Sequence, residues 1–342
     1  MPSERFFEFD SLAENFQPPV LIVSTVVGRG VFVIGEAIQQ KLAGRFEVLH
    51  VPIEELVPDE AIDEDLRRYK FISNRLPWLL YLIYKVPIFY YRKYAREKWL
   101  SKADLPRLRE FLETHKIRTV LCLSHRPAFW VATLKRRRKL PIQIWGVGIE
   151  FGRNLGWQYQ FWEEIDGLLS PVSREDTGIR LPEHVRFYSI ELPVRNGFRE
   201  LSGTPGDPNT VLLMCGAWGQ GPLAQIAGIL AMGRPELRIH IVCGDNQAAY
   251  EQIRERFADN PNVQAHQTTP SVYPYLRECG SVISKPGIAT LLESHAAGRK
   301  IFLLKGMPVA EDHNARYALR HMDAEWFTEE AFDRWRRQPR GL

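Results

Sequence analysis

The residues with the widest chemical reach in this sequence stand just past short apolar runs. His125 follows the run at 119–123, and Glu150 follows the run at 142–147. Histidine titrates near neutrality, so at such a place it can move a proton or hold a polar ligand. Capping of loop carbonyls fits it equally well. Glycines form a second set: Gly28 and Gly30 after 19–27, Gly216, Gly219 and Gly221 after 210–215, Gly244 with Asn246 after 238–243, and Pro286 with Gly287 after 281–284. A glycine lets backbone approach a ligand closely. Past Gly287 a helix is expected to open at Thr290, which can cap it, with Glu293 about one turn further on near the positive helix end. For Gly28-Arg29-Gly30 a tight turn without a ligand is as good a reading.

The elements that must carry these residues follow from the runs themselves. Residues 19–27 (PVLIVSTVV) are continuous, apolar and rich in β-branched side chains, the pattern of a parallel strand buried on both faces. Runs at 46–51, 119–123, 142–147, 167–170 and 185–190 continue it, with helical stretches between. Residues 202–209 (SGTPGDPN) have linker composition, and beyond them 210–215, 238–243, 263–265, 281–284 and 301–304 repeat the alternation. Two α/β domains, 1–201 and 202–342, are therefore expected. In parallel sheets ligands bind at the strand C-terminal edge, where all of these residues fall.

Composition narrows the class. A chain of 342 residues with 45% hydrophobic and 25% charged residues can bury two cores, which excludes disordered and fibrous classes. The net charge of +4 is small but clustered, at 135–139 and at 92–98. The 135–139 run reads as a solvated helix end, and no nucleic-acid module accompanies it. Four separated cysteines without CxxC pairing, and histidines without metal-ligand spacing, point to free thiols, no metal and a cytoplasmic location. His240, inside an apolar run, reads as a core histidine.

Residues 71–100 are crowded with aromatic and aliphatic side chains, but Lys85 and Pro87 cut the apolar run below the length that spans a bilayer. Trp78 beside Arg92, Lys93, Arg96 and Lys98 suits a surface seated among anionic lipid headgroups. A core helix pair with a solvated basic end fits the same residues.

The C-terminal half resembles the donor domain of the nucleotide-sugar glycosyltransferases that include the monogalactosyl- and processive glucosyl-diacylglycerol synthases and the lipid II-forming GlcNAc transferase. The resemblance rests on MCGAWGQGPL from Met214, VCGDN from Val242, KPGIATLLE from Lys285 and EDHNA from Glu311. Ile190-Glu191-Leu192-Pro193-Val194 is similar to the family's GIPV, and Phe198 to a later aromatic. In the N-terminal half Gly28-Arg29-Gly30 lies where the family has its acceptor loop, His125 where it has HP after a strand, and Glu150-Phe151-Gly152 with Trp157 resembles TDFG…W. Val31, Ile288 and Ala310 stand where the family has histidine, glycine and glutamine. Ile288 is thus expected to add β-branched bulk beside the phosphate loop.

The resemblance implies a GT-B fold, two Rossmann-like doubly wound domains facing across a cleft, with a lipid acceptor such as diacylglycerol on the first and a UDP-sugar on the second. Gly216 to Gly221, Gly244, Asn246, Pro286, Gly287 and Thr290 would serve the nucleotide without a metal or other cofactor. Glu293 would take the ribose hydroxyls, and Glu311, Asp312 and Asn314 the sugar. Inversion at the sugar carbon needs a base, for which His125 and Glu150 both qualify. The implied activity is hexose transfer by an enzyme peripheral to the inner face of the cell membrane. A soluble acceptor, or nucleotide binding without chemistry, are the alternatives.

Overall fold

The computed structural model describes residues 6–26, 29–57, 105–153, 156–157, 161–306 and 310–338. Gly28, Trp78, Arg92, Lys93, Arg96 and Lys98 lie outside the described residues. The chain divides into two compact units, Met1–Arg195 with Met307–His313, and Asn196–Gly306 with Asn314–Leu342.

The first unit holds a seven-stranded sheet made of β1 (Phe7–Glu8), β2 (Val20–Ser24), β3 (Val48–Pro52), β4 (Thr119–Cys122), β5 (Gln143–Val147), β6 (Gly167–Ser170) and β7 (Arg186–Glu191). Their order is β1-β7-β6-β5-β4-β2-β3, and every pairing is parallel. Every residue of β2 and β4 is buried, as an apolar run covered on both faces requires. Helices Gly30–Leu42, Pro106–Thr114 and His125–Arg138 flank the sheet, and the core gathers Leu21, Val23, Leu108, Val120, Phe129, Trp130 and Trp157.

The second unit holds a six-stranded parallel sheet of β8 (Asp207–Met214), β9 (Arg238–Val242), β10 (Val263–His266), β11 (Cys279–Ser284), β12 (Lys300–Leu303) and β13 (Ala324–Trp326), in the order β10-β9-β8-β11-β12-β13. Counted from β8 this is 3-2-1-4-5-6, the order of a dinucleotide-binding Rossmann sheet. Helices Leu223–Ala231, Gln247–Arg256, Ile288–Ala296 and Glu329–Arg336 belong to it, as does helix Ala310–His321 from Asn314 onward. Its main core joins Val211, Leu213, Ile239, Ile241, Phe302 and Phe332. Arg299, only 2% exposed, donates to the carbonyls of Leu276, Thr204 and Leu201 and so ties the segment after Asn196 to this unit.

Two strands escape the sequence patterns. β1 and β13 are two and three residues long, too short to show periodicity, and each joins an edge by parallel pairing to β7 and β12.

Candidate active site

Each sheet has one place where the strand order reverses, and there the two neighbouring loops part to opposite faces and leave a crevice. In the first unit it lies between β2 and β4, in the second between β8 and β11.

At the first crevice β2 runs into Thr25 and Val26. Arg29 then takes a left-handed conformation (φ 48°) as the N-cap of helix Gly30–Leu42. A non-glycine residue in that region is uncommon and marks a constrained turn. β4 ends at Cys122, and His125 is the first residue of helix His125–Arg138. The His125 Nδ1 atom is buried without a hydrogen-bond partner. Burial, and secondarily the charge of Arg126, lowers its pKa from 6.5 to about 4, so the ring is neutral near pH 7. Glu150, half-buried, follows β5. Because Cys122 pairs with Gly146, the ends of β4 and β5 lie side by side, and His125 and Glu150 both follow at that edge.

A carboxylate that the sequence patterns do not single out joins this crevice. Glu54, just beyond β3, accepts from the Thr25 hydroxyl through Oε1 and from the Val26 N–H through Oε2 at 3.2 Å. It thereby pins the chain just after β2, ahead of helix Gly30–Leu42. One strand position earlier, His50 Nε2 lies 2.7 Å from Ser24 Oγ, and burial lowers its pKa to about 4. Gly35 is required beneath that ring, since a Cβ there would lie 2.3 Å from His50 Nε2. The available signal was positional: Glu54 follows a strand at the same sheet edge as the glycine loop.

At the second crevice the loops are locked backbone to backbone. Gly219 (φ 57°) stands where a Cβ would be 1.9 Å from the Cys243 carbonyl, and Gly244 (φ 59°) where one would be 2.1 Å from the Ala217 carbonyl. The Asp245 N–H donates to Ala217 O at 2.7 Å. Asn246 donates through Nδ2 to Gly219 O at 3.1 Å while its Oδ1 accepts from Ala249 N and caps helix Gln247–Arg256. These residues therefore hold the two glycine loops to each other. Gly221 closes over the Cys215 thiol, whereas at Gly216 and Gly287 an added Cβ would meet nothing within 4 Å. Open space beside backbone is thus confined, within this set of glycines, to the ends of β8 and β11, the two strands that flank the crevice.

Helix Ile288–Ala296 begins before Thr290. Gly287 is its N-cap, with φ −70° and ψ 135° and no side-chain cap. The Pro286-Gly287 turn supplies the extended cap geometry itself, so Thr290 lies inside the first turn, 9% exposed. Ile288, expected to crowd the loop, is 5% exposed, its side chain packed in protein while Gly287 faces open space. Glu293 is buried. Asn314, also buried, donates through Nδ2 to Pro286 O at 3.2 Å and so braces the loop. Glu311 and Asp312 open helix Ala310–His321, half-buried and exposed respectively. Among the described residues no three His, Cys, Asp or Glu side chains stand together as a metal site.

No protein-family model matches the chain. It is 23% identical over 316 residues to the processive diacylglycerol beta-glucosyltransferase of Bacillus thuringiensis (strain Al Hakam), covering 88% of this chain and 79% of that one. The enzyme of the same name from Bacillus mycoides (strain KBAB4) is 23% identical over 325 residues, with the same coverage. Among solved structures, MurG of Acinetobacter baumannii superposes with a TM-score of 0.51 at 16% identity, over 92% of this chain and 88% of that one. The glycotransferase of kitacinnamycin gives 0.56 at 13% identity, over 93% and 88%. The chain has the GT-B fold and is distantly similar to the diacylglycerol glucosyltransferases. In this GT-B protein the two Rossmann-like sheets implied by the sequence resemblance are the seven- and six-stranded sheets described above.

Proposed function

We propose that this protein is an inverting hexosyltransferase that takes sugar from a UDP-sugar and delivers it to a diacylglycerol-like lipid at a membrane surface. The observation that carries the reading is His125, a neutral imidazole at the crevice of the first unit, at the strand edge where acceptor chemistry is expected. The distant relatives named for processive diacylglycerol glucosylation support the acceptor class. A Medicago truncatula structure with UDP-glucose, matched at a TM-score of 0.50 and 12% identity over 92% of this chain and 88% of that one, is consistent with the donor class.

In this reading the loops of the six-stranded sheet and the start of helix Ala310–His321 hold the donor. Backbone N–H groups at Gly287 and along 216–221 take the diphosphate, Glu293 the ribose, and Glu311 and Asp312 the sugar hydroxyls. The acceptor hydroxyl, on the first unit, attacks the sugar C1 from the face opposite UDP. His125 removes the hydroxyl proton as the C1–O bond to UDP breaks, and the bonding electrons pass to the diphosphate oxygen, whose charge the N–H groups stabilise. Glu150 stands at the neighbouring strand end and orients the acceptor. No helix among the described residues is long and apolar enough to cross a membrane. Reach to the lipid is assigned, on its residue types alone, to the aromatic and basic stretch from Trp78 to Lys98.

The test offers UDP-glucose and UDP-galactose to the purified protein with anionic vesicles containing diacylglycerol. Labelled glycolipid is expected, and Lys93→Glu with Arg96→Glu should weaken both vesicle sedimentation and transfer. UDP binding without transfer to lipid would overturn the acceptor assignment, and transfer to soluble alcohols alone would replace it.

A further inference from the structure

His125 is held from outside its own helix by two residues that the mechanism above does not use. Trp157, 1% exposed, packs in the first unit's core, its ring filling the space beside Gly146. Its neighbour Gly156 lies against the imidazole: a Cβ at Gly156 would stand 2.4 Å from His125 Cγ and 2.5 Å from Cδ2 and Nδ1. Real Cβ contacts stay beyond 3.0 Å. Gly156 also has no left-handed φ, so its backbone conformation is open to any residue. The bar to a side chain at 156 is therefore the imidazole itself.

We propose that Gly156 is a positioning residue, whose bare α-carbon, anchored by Trp157, is the seat that fixes the His125 ring at the first unit's crevice. This rests on the reading of His125 as the base. The seat lies against the Cγ end of the ring, as near Cδ2 as Nδ1, and the Nδ1 atom is buried and unpartnered. Nε2 is then the ring nitrogen left to take the acceptor proton. The seat also keeps water from the ring, which together with the charge of Arg126 holds the imidazole neutral. A side chain at 156 has to push the ring aside, and a displacement of about 1 Å at a catalytic group can cost roughly a hundredfold in rate.

The test is Gly156→Ala, made both in the native chain and in His125→Ala. In the native background the melting temperature and transfer should both fall, transfer by about a hundredfold, while the KM for the UDP-sugar stays unchanged. The His125 imidazole, followed by NMR, should titrate closer to 6.5 than to its native value of about 4. In the His125→Ala background the same substitution should leave the melting temperature of its parent unchanged, because the ring that barred the Cβ is gone. An unaltered titration in Gly156→Ala, or an equal destabilisation in both backgrounds, overturns the seat, as does failure of the double variant to fold. Full transfer by His125→Ala would instead overturn the base assignment, and the coupling between 156 and 125 could still be measured.

Discussion

The two crevices sit at equivalent places in two parallel sheets, and they are built from different parts of the chain. At the first, side chains dominate: Glu54 grips Thr25 and Val26, His50 meets Ser24, and His125 presents an imidazole. At the second, backbone dominates: Gly219 fits against the Cys243 carbonyl, Gly244 against that of Ala217, and Asn314 braces Pro286. The contrast follows the chemistry proposed for each. A proton must be taken by a titratable side chain, whereas a diphosphate is held by N–H groups that stay fixed while charge develops.

Gly244→Ala should break the second crevice most severely. The new Cβ would meet backbone at 2.1 Å in a left-handed conformation, which no rotamer change relieves. A stability loss of about 2–4 kcal/mol is expected, with UDP binding lost by calorimetry. Wild-type affinity in this variant would show that the loops need not interlock.

Glu54→Ala should loosen the first crevice alone. It removes a carboxylate that accepts two hydrogen bonds, one from backbone. Each bond to a charged group contributes about 1.5–3 kcal/mol, and part of that should appear as a KM for the acceptor raised about tenfold, with donor affinity unchanged. A matching rise in the donor KM would mean that Glu54 serves general stability.

A further effect on the first unit is on acid stability. Burial holds His50 and His125 at about 4 in the fold, against 6.5 as free groups. Between those values the unfolded chain binds more protons, so stability should fall as pH drops from 6.5 towards 4 and be unaffected by these groups above 6.5. Hydrogen exchange at pH 7 and pH 5, followed on first-unit peptides, should show the loss. Equal protection at both pH values would contradict the buried neutral histidines.

The sheets were legible because their central strands are continuous apolar runs, several of them bounded by glycine or proline, and burial on both faces leaves that mark on sequence. The glycine positions were legible for the same reason, but their purposes were not. Gly219, Gly244 and Asn246 read as ligand contacts, and tertiary packing shows that they also join two loops separated by a whole helix. Glu54 was hidden because a single carboxylate after a strand carries no pattern, and its partners are 28 and 29 residues away. Ile288 misled by identity: a bulky residue in a loop can turn into the protein, and only its burial reveals which way it points.

The most direct measurement compares His125→Ala with the native protein in two parallel assays, UDP binding by calorimetry and sugar transfer to diacylglycerol vesicles. Removing a general base while leaving the second crevice intact should lower transfer by about 10²–10⁴-fold at unchanged UDP affinity. Transfer at the native rate, or loss of UDP binding alongside it, would contradict the division of labour between the two units.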